Sequence, residues 1–179
     1  MDIQLLRIVP LLDRTALSDF HSGESEIDRN IEKCCDWHSR HRARVFCACI
    51  DGNPTAYGFY CLAISASTSP DVKKEMVRIS DERAYVPFVY LNYIAVRAEH
   101  QNQKIGTLML MNALSRCGQV VRNVGIYGIA LHALTDRAAR LYERYGFRQI
   151  SEMKYPFMIL PTQSLIDLTE GEPDRFVGS

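Results

Sequence analysis

Seven consecutive residues, Gln101-Asn102-Gln103-Lys104-Ile105-Gly106-Thr107, combine features that suit an anion. They carry no carboxylate, and the polar stretch gives way at Ile105 to apolar residues at helical spacing. The first amides of such a helix have no intrahelical acceptor and its dipole favours negative charge, while Gly106 lets the main chain come close to a ligand. A phosphate-bearing molecule is one reading of this loop, and a helix that simply follows a strand is the other. Two further sets are cationic. Arg137, Arg140 and Arg144 recur at three- and four-residue spacing, and Lys33, Arg40, Arg42 and Arg44 crowd a short stretch with His38 and His41 against Asp36. They can frame a groove for a polyanion such as tRNA, although stripes of charge also describe a solvated helix face. His132 is either a partly buried strand histidine or one that assists a substrate through water. Tyr142 is either a core aromatic or a proton donor, and position alone leaves both open.

The elements that must position these groups are legible in outline. Phe88 to Val96 is a β-branched and aromatic run that ends at the anion-suited loop, so strand, loop and helix follow in order. Ile3 to Val9 reads as a first strand and Leu11 to Phe20 as a short helix. Ser25 can cap a second helix, with Asp28 near a capping-box position and Ile27, Ile31, Cys34, Cys35 and His38 on one face. Trp37 is expected to pack under that helix rather than stack on a base. Arg44 to Ile50 and Thr55 to Ser65 flank the turn residues Asp51-Gly52-Asn53-Pro54, which predicts a hairpin. Ser67 to Glu82 is expected to be a mobile connection with at most one helical turn. Gly118 to Asn123 reads as a link, Gly125 to Ala133 as a strand, and a helix starting at Thr135 or Asp136 is closed by Gly146 at the position after its C-cap. Phe147 to Met153 and Tyr155 to Leu160 complete the strands. One domain is expected over residues 1–165, with 166–179 a polar, flexible tail.

Composition bounds the class. The chain has 179 residues, of which 47% are hydrophobic, enough for a real core. Alternating helical and strand patterns imply an α/β or α+β fold. No apolar run is long enough to span a bilayer and no signal-like N-terminus is present, so a cytoplasmic protein without membrane contact is expected. The 6 cysteines form no CxxC pair and no zinc spacing, so free thiols and no metal are expected. The formal net charge is zero, which excludes a global field for polyanions but leaves local patches.

The strand Ile94-Ala95-Val96, the loop Gln101 to Thr107 and the long helix resemble the acyl-CoA-binding motif of the GNAT superfamily of N-acetyltransferases, with Lys104 where the first motif glycine is expected. For the Lys104 amide and ammonium to serve a phosphate, a negative φ is expected there. Ala138-Ala139-Arg140-Leu141-Tyr142 with Tyr145-Gly146-Phe147 is similar to the second family signature. The resemblance implies a GNAT fold, with a mixed central sheet of roughly six to seven strands and about four helices. It implies acetyl-CoA as co-substrate, held by Ile94, Ala95, Val96, Gln101, Asn102, Gln103, Lys104, Ile105, Gly106 and Thr107. It also places Tyr142 beside the coenzyme sulfur as general acid.

Phe20-His21-Ser22-Gly23, Ile27-Asp28, the basic helix, Pro87 to Val96 and Leu131-His132-Ala133 further resemble one branch, the toxins of type II toxin–antitoxin modules that acetylate aminoacyl-tRNA. That branch implies aminoacyl-tRNA as substrate, a ribbon-helix-helix antitoxin and a homodimer; Arg40, Arg42, Arg44, Arg137, Arg140 and His132, singled out by their chemistry and placement, are the residues expected to contact such a substrate. No carboxylate stands out as general base: Glu99 lies in the loop and Asp136 suits a helix cap as well as catalysis. An α-amine, with a reference pKa of roughly 7.7 to 8.0, needs a base less than a lysine side chain does. Two alternatives remain at this level, an acetyltransferase for a small-molecule or protein amine and a non-catalytic acyl-CoA-binding module.

Overall fold

A hairpin forms where Asp51-Gly52 separates two apolar runs. In the computed structural model, which describes residues 3–68, Val72, 85–151 and 154–170, β2 (Arg44–Ile50) pairs antiparallel with β3 (Asn53–Ser67). Gly52 makes the turn with a φ of +80°, and the register slips between Ala48 and Ile50. The sheet order is β1-β2-β3-β4-β5-β7-β6, with β1 (Leu6–Pro10), β4 (Val86–Val96), β5 (Gly128–His132), β6 (Arg148–Gln149) and β7 (Phe157–Pro161). The helices are α1 (Ser25–Asp28), α2 (Ile31–Ser39), α3 (Ile105–Asn123), α4 (Asp136–Arg144) and α5 (Thr162–Glu170). The mixed seven-stranded sheet agrees with the fold expected above.

The described residues form two compact units. The first comprises residues 3–63 and 92–113. There β1 lies antiparallel to β2, with Leu6 opposite Ile50 and Pro10 opposite Phe46, so the proline sits on an edge strand where its missing N–H costs no ladder bond. Val45, Cys47, Phe59, Cys61, Cys34, Met109 and Leu110 are buried and form much of this unit's core. Gly58 is required by packing: a Cβ there would lie 2.5 Å from Met109 Sδ and 2.8 Å from the Ala95 carbonyl.

The second unit comprises residues 64–91 and 114–170. Its β4 residues run parallel to β5, with Val89 opposite Ile129 and Leu91 opposite Leu131, and β5 runs antiparallel to β7. Ile129, Leu131, Met158, Ile159 and Leu160 are buried, and Leu165 brings α5 into the core.

Several expectations change. Leu11 to Phe20 yields only a 3-10 turn, Arg14–Leu17, capped by Asp13, whose side chain accepts the Thr15 N–H at 2.8 Å. The second helix is broken into α1 and α2 at Arg29 and Asn30, and Ser25 is the first residue of α1 rather than its cap. Gly118 to Asn123 is not a link, because α3 continues to Asn123 with Gly118 packed against the Thr169 side chain. The last strands are shorter than their apolar runs, and α5 occupies a stretch expected to lack an element. All but a few residues of the expected mobile connection, and residues 171–179 of the expected tail, lie outside the described residues.

Candidate active site

In the first unit β4 ends at Val96 and a 3-10 turn, Ala98–His100, leads into the loop. Asn102 and Lys104 both have positive φ, +63° and +65°, separated by Gln103, which does not. Left-handed residues are a feature of loops whose backbone N–H groups cradle anions. Lys104 then accepts the first helical bond, from Leu108 N at 3.0 Å. The N–H groups of Ile105, Gly106 and Thr107 find no acceptor among the described residues, as the start of a 19-residue helix dictates. A Cβ at Gly106 would meet only Val96 Cγ2, at an ordinary 3.6 Å, so this protein's own packing does not demand glycine there. The free amides, the two left-handed residues and the spare room at Gly106 fit a phosphate group. The negative φ expected for Lys104 is overturned, since the residue holds the left-handed conformation that a glycine adopts without strain.

The loop is braced by the Phe20-His21-Ser22-Gly23 segment. Arg97 donates to the carbonyls of Asp19 (2.6 Å) and Ala56 (3.2 Å), and its guanidinium lies 5.2 Å from the Phe20 ring centroid. Ala98 N donates to the His21 carbonyl, and Gln101 Nε2 donates to the carbonyls of Ser22 (2.7 Å) and Val96 (3.2 Å). Gln101 thus spends its side chain on holding the loop. Ser22, 4% exposed, donates N–H and hydroxyl to Asp28 Oδ1 at 2.8 and 2.6 Å, and His21 Nδ1 lies 2.6 Å from Asp28 Oδ2. Burial acts to raise the Asp28 pKa, but the Ser22 bonds and the His21 charge outweigh it and hold the carboxyl below its ordinary value. This brace was not read from the sequence, because Asp28 could equally serve Ser25 and Gln101 reaches Ser22 across 79 residues.

In the second unit Tyr142 lies on α4. Thr135 rather than Asp136 caps this helix, its hydroxyl accepting from Ala138 N at 3.2 Å. At the other end Gly146, φ +85°, sits where the sequence placed it. Phe147 N donates to the Tyr142 carbonyl at 3.1 Å, Gly146 N to the Glu143 carbonyl at 2.9 Å, and the Tyr142 and Phe147 rings pack with centroids 5.7 Å apart. These two bonds and the ring contact form a Schellman closure. Tyr142 is 6% exposed, and burial pushes its phenol pKa upward, so the hydroxyl stays protonated throughout the neutral range.

Arg137, Arg140 and Arg144 are exposed on the same helix and, with Leu141 and Glu143, line an open cavity of about 600 Å³. None of the three pairs with a carboxylate among the described residues. Arg40, Arg42 and Arg44 are likewise exposed and unpaired in the first unit, where the Trp37 carbonyl accepts the amides of Arg42 and Ala43, and His38 Nδ1 accepts the Val45 N–H at 3.0 Å. His132 ends β5, half-buried, with Nδ1 hydrogen-bonded to the Tyr90 hydroxyl and its pKa lowered by burial. Ile94 and Val96 are half-buried and Ala95 is buried. Of the two candidate bases, Glu99 lies 3.8 Å from Arg97 Nε, and Asp136 occupies the first turn of α4.

Comparison with known proteins identifies the family and the fold. A tRNA-acetylating toxin of Mycobacterium tuberculosis is 30% identical over 136 residues, spanning 75% of this chain and 80% of the toxin. The fold is shared with a tyrosine-to-phenylalanine mutant of the AtaT toxin bound to the C-terminus of the antitoxin AtaR and acetyl-CoA (TM-score 0.73, 22% identity, 93% of this chain and 98% of that one). AtaT complexed with acetyl-methionyl-tRNAfMet superposes similarly (TM-score 0.73, 22% identity, 89% and 96% covered). Residues 10–147 match the acetyltransferase (GNAT) family, and the chain belongs to it.

Proposed function

We propose that this acetyltransferase is a toxin that transfers the acetyl group of acetyl-CoA to the α-amino group of aminoacyl-tRNA and so blocks translation. The observation that carries the reading is Tyr142, a signature tyrosine fixed by the closure of its helix and kept protonated by burial. The free amides of Ile105, Gly106 and Thr107, with the loop from Asn102 to Lys104, would hold the coenzyme phosphates. The amine attacks the thioester carbonyl, a backbone N–H of the Ile94 to Val96 strand meets the oxyanion, the Tyr142 hydroxyl donates a proton to the departing thiolate, and the proton that the nitrogen sheds on becoming an amide returns to Tyr142 through water. Glu99 faces Arg97 and Asp136 complements a helix dipole, so among the described residues neither candidate carboxylate stands free to act as a base. An α-amine, already partly unprotonated near pH 7, is the acceptor that tolerates this best.

The tRNA-acetylating relative supports the acceptor, and the AtaT complex with AtaR supports an antitoxin, which we assign to the ribbon-helix-helix class. The enzyme works in the cytoplasm as a homodimer, without a metal. Among the described residues no helix is long and apolar enough to cross a membrane. Incubation of the full chain with labelled acetyl-CoA and charged tRNA yields N-acetyl-aminoacyl-tRNA. Tyr142→Phe lowers kcat at least about 100-fold with acetyl-CoA affinity intact. Transfer to small amines or peptides but never to charged tRNA would leave an ordinary acetyltransferase, and no calorimetric binding of acetyl-CoA would leave a non-catalytic module.

A further inference from the structure

The parallel ladder between β4 and β5 ends at Leu91 and Leu131. His132 is the next residue on β5, and Tyr90 lies on the same sheet face of β4. Their side chains meet, the Tyr90 hydroxyl against His132 Nδ1, with the rings edge to face at 5.9 Å and 77°. Phe157 packs on the imidazole at 4.9 Å and on the phenol ring at 6.4 Å, and Phe88 closes the cluster at 6.2 Å from Phe157. Ligands of open parallel strands bind at the carboxyl ends of those strands, which is where His132 stands.

A phenol is a better proton donor than a neutral imidazole N–H, and an imidazole nitrogen is a better acceptor than a phenol oxygen. Between these two groups the favoured arrangement has the hydroxyl donating to Nδ1 and the ring's remaining proton on Nε2. Burial favours the neutral ring. A histidine held this way cannot accept a proton at Nε2; it presents a donor there. We propose that His132, fixed in this tautomer by Tyr90, hydrogen-bonds through Nε2–H to the ester carbonyl of the acyl acceptor and so turns the neighbouring α-amine toward the thioester. The inference rests on the aminoacyl-tRNA reading and makes Tyr90 a positioning residue.

Two measurements on the full chain test it. Ring ¹⁵N NMR of His132 in the wild type shows Nε2 protonated and Nδ1 bare, and Tyr90→Phe mixes the two tautomers. In acetyl transfer to aminoacyl-tRNA, His132→Gln, whose amide N–H can replace the Nε2–H, stays within about threefold of wild-type kcat/KM. His132→Ala loses about 10- to 100-fold, and acetyl-CoA binding is unchanged in both. A bare Nε2 in the wild type, or a glutamine variant as impaired as the alanine one, overturns the donor role; the second result is what a general base predicts. Wild-type protein that acetylates no charged tRNA ends the functional reading, and this inference with it, whatever the tautomer.

Discussion

Lys104 holds a conformation its side chain disfavours. A non-glycine residue in the left-handed region is strained by roughly 1 to 2 kcal/mol, and Asn102, two residues earlier, bears the same handedness more easily because asparagine tolerates it. The exposed ammonium is what glycine would lack. Lys104→Gly should therefore stabilise the fold by about 0.5 to 1 kcal/mol, the relieved strain less the extra entropy glycine gains in the unfolded chain. It should also weaken acetyl-CoA by a few fold if the ammonium pairs with a phosphate. Urea unfolding with and without acetyl-CoA separates the two effects, and a loss of stability in the free protein would refute the strain. The loop's place was legible from its composition and from the strand before it. Its handedness was not, because a lysine gives no local sign of positive φ.

At the scale of elements, the spacing from Tyr142 to Gly146 and Phe147 has a geometric cause. Tyr142 is the residue whose carbonyl receives the closing bond, Gly146 supplies the left-handed residue, and Phe147 supplies both the closing N–H and the ring that packs on the phenol. Gly146→Ala forces a Cβ into φ +85°, 3.3 Å from Leu160 Cδ1. A stability loss of about 1 to 2 kcal/mol is expected. A fall in kcat at saturating acetyl-CoA should accompany it, because the closure that aims Tyr142 loosens. Unchanged kcat in a destabilised variant would mean that the tyrosine is positioned by other contacts. Gly146 was readable because a glycine after an apolar helical stripe is a strong stop signal. The break between α1 and α2 was not, since Asp28 could serve either Ser25 or Ser22 and only the fold chooses Ser22. Nor was α5, whose polar residues surround the single buried Leu165.

Across the whole molecule, formal charge sums to zero, so no long-range field draws a polyanion in. Any attraction for tRNA must come from local cations whose charge is not already cancelled. Arg137, Arg140 and Arg144 in one unit, and Arg40, Arg42 and Arg44 in the other, meet that condition among the described residues, whereas Arg7, Arg14, Arg29 and Arg122 are each paired with a carboxylate. An arginine that neutralises a phosphate releases condensed counterions, and removing it lowers the slope of log K against log salt by roughly 0.7 to 0.9. Alanine at Arg137, Arg140 or Arg42 should thus reduce the salt slope of aminoacyl-tRNA binding by about that much each. Alanine at Arg29, already paired with Glu26 at 2.7 Å, should leave it unchanged. Acetyl-CoA affinity serves as the control, since these side chains lie outside the loop that carries the free amides. A slope equal to wild type in all three variants would reassign both arginine sets to ordinary solvated surface and move the tRNA contacts elsewhere.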